Sequence, residues 1–81
     1  MNVTYGVKMT IAQEVLWDID RVNEDLNLSE DCKLDSNSLD RVILRLETLL
    51  GITIDPKDKS KLHVVEDLIK LFKGKLQHTQ V

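Results

Sequence analysis

The stretch Lys33-Leu34-Asp35-Ser36-Asn37-Ser38 divides a polar, turn-favouring run from a long amphipathic segment. After it, apolar residues fall at Leu39, Val42, Ile43, Leu46, Leu49 and Leu50, a three-and-four spacing that predicts a helix laying one face on a core. The pattern closes at Gly51, the residue type that best tolerates a left-handed helix end. Asp35 and Ser36 are both good N-cap residues, so the helix is expected over 36–50. The free N–H groups of its first turn and the positive end of its dipole suit a phosphate ester on the Ser36 hydroxyl. Ser36, with Asp35 before it, is therefore the first candidate site.

Upstream, Val7, Ile11 and Val15 recur every four residues and predict a first helix over 3–16 with a single apolar stripe, its start weakened by Gly6. Trp17, Ile19 and Val22 read as anchors of a connection that follows. Residues 23–35 mix Asn, Asp, Glu and Ser with Leu26, Leu28 and Leu34, so an irregular backbone pinned by leucines is expected. Such a loop is long for a small domain, and long loops are often functional. Downstream of Gly51, Ile52 and Ile54 flank Thr53 and run into Asp55-Pro56, an extended anchor and a turn. A short helix is expected over 57–62. Val65, Leu68, Ile69 and Phe72 then predict a last helix over 64–73, with Gly74 as its stop and 74–81 as a frayed tail.

With 81 residues there is room for one domain, taken as 1–81 with its core about 3–73. Only 4% of residues are aromatic against 42% hydrophobic, with a single Pro, which favours helices packed through Leu, Ile and Val, and the class expected is all-α. The net charge of −3 argues against nucleic acid, which needs a concentrated basic patch. Lys57, Lys59 and Lys61 alternate with Asp58 and Ser60 and read as a solvated segment. There is no secretory apolar region, no run long enough for a membrane span, and one cysteine, too few for an intrachain disulfide. A soluble, monomeric, cytoplasmic protein is expected, and Met1 with the short tail favours a separate small protein.

Catalytic chemistry finds little support. His63 and His78 are far apart and have no helically spaced ligand partner, so no metal is expected. Glu24-Asp25 and Glu30-Asp31 lack the periodicity and central glycine of a calcium loop. Cys32 reads as a small buried hydrophobe. Ser36 has no evident His base, and a hydroxyl modified by another enzyme is the better reading than a self-activated nucleophile. No enzymatic activity is expected of the chain itself. On the helix after Ser36, Asn37, Arg41, Leu44 and Thr48 lie away from the apolar stripe at about 100° per residue, and Leu44 is a leucine facing solvent.

Leu28-Ser29-Glu30-Asp31-Cys32-Lys33-Leu34-Asp35-Ser36 resembles the stretch of acyl carrier proteins that precedes their phosphopantetheine-bearing serine, where Asp-Ser follows a loop of the type Leu-x-Glu-Asp-Leu-Gly-x. Leu46-Glu47, Leu50-Gly51-Ile52-Thr53-Ile54 and Val65-Glu66-Asp67-Leu68 fall at that family's spacing from Ser36 without a gap, over about 15–72. The resemblance implies a four-helix bundle with three main helices plus a short third helix. It implies 4′-phosphopantetheine covalently attached at Ser36, carrying an acyl or aminoacyl group as a thioester. The implied partners are a phosphopantetheinyl transferase and the acyl-activating, synthase or acyltransferase enzymes of fatty acid, polyketide or related biosynthesis. By the same resemblance, the outer face of the helix after Ser36, with Asn37, Arg41, Leu44, Arg45 and Thr48, docks those partners. The acyl chain is sheltered near Leu46, Leu50, Ile54, Leu62 and Leu68, although any helical bundle would bury these side chains.

The departures are Cys32 and Asn37 in place of leucines, Lys33 in place of a glycine, and Arg41 and Arg45 on a face that is acidic in the family. They motivate an alternative: an unmodified carrier-like helical domain that acts as a protein–protein interaction module. Spacing also separates Ser36 from Ser38. Counting from Ser38 requires a two-residue deletion inside the helix, which would turn the apolar stripe by about 200°, so Ser36 is the expected attachment point.

Overall fold

A computed structural model describes residues 2–78 of the chain. Its regular elements are α1 (Val3–Val15), a 3-10 turn (Ile19–Arg21), α2 (Ser36–Leu50), α3 (Pro56–Lys59) and α4 (Val65–His78), with no strand among the described residues. The all-α expectation holds. The first helix packs closely against both α2 and α4.

Local chemistry explains most element ends. Asn2 caps α1 by accepting the Tyr5 N–H at 3.2 Å. That helix is more widely buried than one stripe: Val3, Gly6, Val7, Thr10, Ile11 and Ala12 all face inward, while Val15 is only half-buried. The buried Thr10 hydroxyl donates to the Gly6 carbonyl at 2.8 Å, so no polar group is orphaned there. α1 ends one residue earlier than expected, at a left-handed Leu16 (φ 61°), and α2 ends the same way at Gly51 (φ 67°). In each case the N–H groups of the left-handed residue and of its successor point back to one carbonyl, Ala12 or Glu47, closing the helix. The short α3 starts at Pro56, with Asp55 accepting the Lys57 N–H at 3.0 Å, and it stops at Lys59 rather than continuing to 62.

Two further expectations are corrected. Leu49, expected on the apolar stripe, is exposed; at 100° per residue it lies about 20° outside Val42, on the side away from Ile43, and so beyond the edge of the buried sector. Gly74 does not stop the last helix, which runs to His78. Gly inside a helix costs only about 1 kcal/mol relative to Ala, and the apolar face continues past it, with Leu71 and Leu76 packed on the core. Residues 74–78 are thus helical rather than frayed, and 79–81 of the expected tail lie outside the described residues.

The core unites Val7 and Ile11 of α1, Val42 and Leu46 of α2, and Val65, Leu68 and Phe72 of α4, all fully buried. The long connection before α2 is pinned to it by Val22, Leu28, Cys32 and Leu34, also buried, with Trp17, Ile19 and Leu26 packed at its margin. Arg21 stacks over the Trp17 ring, 4.3 Å from its centroid. The same connection is stitched by backbone bonds to the entry of α4: Leu28 N–H to the His63 carbonyl (2.9 Å), Val65 N–H to the Leu26 carbonyl (3.0 Å) and Glu66 N–H to the Glu24 carbonyl (2.9 Å). Asn27 folds the loop on itself, its side-chain oxygen accepting from the Ser29 and Glu30 N–H groups at 3.0 and 2.9 Å. The chain therefore reaches residue 36 on a fixed path.

Candidate functional site

The first residue of α2 is Ser36, and it is exposed. Asp35, in extended conformation, caps the helix by accepting the Ser38 N–H at 2.8 Å, and that bond holds its carboxyl below the usual carboxylate range. Lys59 arrives from α3. Its ammonium donates to Ser36 Oγ at 3.3 Å and to the Ser36 carbonyl at 3.5 Å, and it is paired with Asp40.

Ser36, Asp40, Ile43 and Glu47 follow one another at spacings of four, three and four, which places them on one stripe of α2. Along that stripe runs a groove of about 270 Å³ whose walls include Asp40, Ile43, Glu47, Ile54 and Lys59. Glu47 fixes its far side by accepting the Ile54 N–H at 2.9 Å. Of the five side chains expected around an acyl chain, Ile54 lines this groove. Leu46 and Leu68 are wholly buried in the core, and Leu50 and Leu62 are half-buried and packed against it.

Ser38 has different surroundings. It is half-buried, and its hydroxyl accepts from Arg41 Nη2 at 3.1 Å. Ser38 also borders a second hollow of about 250 Å³, shared with Glu14, Trp17, Cys32 and Leu34. The Cys32 thiol is buried, and burial, with the nearby Asp31 carboxylate, pushes its pKa up, which keeps it a protonated packing group.

The residues expected on the outer face of α2, Asn37, Arg41, Leu44, Arg45 and Thr48, are all exposed, and Leu44 is the most exposed leucine of that helix. Thr48 turns its hydroxyl back to the Leu44 carbonyl at 3.0 Å. The two arginines are not free charges. Arg41 donates from Nε and Nη2 to Glu14 Oε2 at 3.1 and 2.9 Å, and Arg45 Nη1 lies 3.8 Å from Glu14 Oε1. One carboxylate of α1 thus offsets part of the positive charge of this face, and reversing both arginines to glutamate would set like charges against Glu14.

Three participants were missed by sequence reasoning. Glu14 had no assigned role. Asp40 likewise had no assigned role, although its place four residues after Ser36 is a usable signal. Lys59 had been read as part of a solvated run, and nothing in its local pattern separates it from Lys57 and Lys61. No family model matches the chain, and no curated protein matches it. No helix among the described residues is long and apolar enough to cross a membrane.

Proposed function

We propose that the chain is a carrier of the acyl-carrier-protein type, folded as that family's four-helix bundle, in which Ser36 bears 4′-phosphopantetheine and the arm's thiol carries an acyl or aminoacyl thioester. The observation that carries this reading is the setting of Ser36: an exposed hydroxyl on the first residue of an Asp-capped helix, at the end of a loop tied down by backbone bonds. Two side chains that meet there, Asp40 and Lys59, also wall the neighbouring groove. Lys33 adds support. It stands where the family has glycine, and its φ of 58° is the left-handed conformation that glycine adopts without strain. The protein performs no chemistry of its own; a phosphopantetheinyl transferase loads it in the cytoplasm, and acyl-activating, synthase or acyltransferase enzymes dock on Asn37, Arg41, Leu44, Arg45 and Thr48.

Intact mass after incubation with coenzyme A and a broad-specificity phosphopantetheinyl transferase tests the assignment. Wild type and Ser38→Ala should each gain the mass of one phosphopantetheine, and Ser36→Ala should gain none. Loading at Ser38 instead would refute the assignment. A wild-type protein that no transferase modifies would favour the unmodified interaction module, for which the exposed Leu44 and Leu49 on α2 are the supporting observation.

A further inference from the structure

We propose that Lys59 is the residue that holds the phosphate of the group attached at Ser36, exchanging its contact with the free hydroxyl for that phosphate while staying beside Asp40; this rests on the reading of Ser36 as the attachment point. An ammonium has three donors and no acceptor. Those of Lys59 are directed at Ser36 Oγ (3.3 Å), the Ser36 carbonyl (3.5 Å) and Asp40 Oδ1. Esterification turns Ser36 Oγ into a poor acceptor, but it places two phosphate oxygens that share one negative charge two bonds from the atom that Lys59 already reaches. The phosphodiester carries a negative charge one helical turn from Asp40 on the same stripe of α2, and like charges so placed repel. Lys59 stands between them and is the cation that can neutralise the pair.

Its position is supported rather than incidental. The Lys59 side chain is 29% exposed, so much of its stem is covered. α3 is also tied from its other side, where Lys75 of α4 lies 3.5 Å from Asp58 Oδ2. Lys57 provides an internal control. It sits on the same short helix and carries the same charge, but it is exposed, and its hydrogen bonds are made by its backbone, the N–H to Asp55 and the carbonyl from the Ser60 hydroxyl.

The test uses the full chain, loaded with coenzyme A and the transferase and checked by intact mass. Thermal midpoints are then compared before and after loading, at low salt, for wild type, Lys59→Gln, Lys59→Arg and Lys57→Gln. In wild type, Lys59→Arg and Lys57→Gln, loading should leave the midpoint unchanged or raise it. In Lys59→Gln, where phosphodiester and Asp40 face each other unscreened, loading should lower it by about 2–5 °C, and the drop should shrink as salt is added. If Lys59→Gln and Lys57→Gln respond alike to loading, Lys59 does not hold the phosphate, while the Ser36 assignment stands. If wild type gains no mass, the Ser36 assignment and the role of Lys59 fall together.

Discussion

The two helices that meet beside Ser36 are held by different forces. α2 commits Val42, Ile43 and Leu46 to the core, whereas none of the four residues of α3 is buried as a whole or belongs to the apolar core. The latter is placed by the Asp55 cap, the Lys59–Asp40 pair and the Lys75–Asp58 approach. Apolar burial is insensitive to ionic strength and pH, and exposed ion pairs are sensitive to both. One wall of the groove is therefore rigid and the other adjustable, which would suit the arm proposed for Ser36.

The largest expected effect tests the rigid wall. Leu46→Ala should destabilise the protein by about 2–5 kcal/mol, measured by urea unfolding, with little dependence on salt. A loss below about 1 kcal/mol would show that α2 is not anchored through its core face.

A smaller effect tests the adjustable wall. Asp58 Oδ2 is enclosed and makes no hydrogen bond, so the charge of Lys75 is what compensates it. Lys75→Gln should speed amide exchange over 57–62 by roughly two- to fivefold and leave 42–46 unchanged. Equal acceleration in both segments would mean that the two walls do not move independently.

The smallest effect separates the capping carboxylates from both. Asp35 and Asp67 have pKa values lowered by backbone N–H groups, of Ser38 for Asp35 and of Val64 and His63 for Asp67. Because the folded pKa lies below the unfolded one, their stabilisation is fully present above about pH 4 and is lost as pH falls through the depressed values. The thermal midpoint should fall in that acid range. Asp35→Asn, which keeps a capping oxygen but not the charge, should lower the midpoint slightly near neutral pH and make the acid fall shallower. An unaltered acid profile would mean that the Asp35 charge contributes nothing at the cap.

The same contrast marks what could be read in advance. α2 begins and ends where its residues predict, because Asp35 and Gly51 act within one helical turn of the backbone they terminate. Leu44 was placed outside by angle alone and is there. Gly74 misled, since a glycine reads alike as a stop and as a tolerated interior residue, and only the packing of Leu76 on the core decides. Glu14 and Lys59 were illegible for a deeper reason. They bond to groups 27 and 23 residues away in sequence, and no local period encodes which lysine of an alternating run will face a given serine. Charge contacts between elements become visible only after packing has brought the elements together.

The stitching of the loop to the entry of α4 has a temporal consequence. Leu26 and Leu28 bond to Val65 and His63, so the path that delivers the chain to Ser36 closes only when those distant partners exist. A polypeptide emerging from the ribosome N-terminus first leaves that loop open until residue 66 has cleared the exit, and contacts of such separation are slow to form. The setting of Ser36 is therefore completed only after residue 66 has emerged, and an enzyme that recognised that folded setting, as the proposed function requires, would pass over chains that stop short of it.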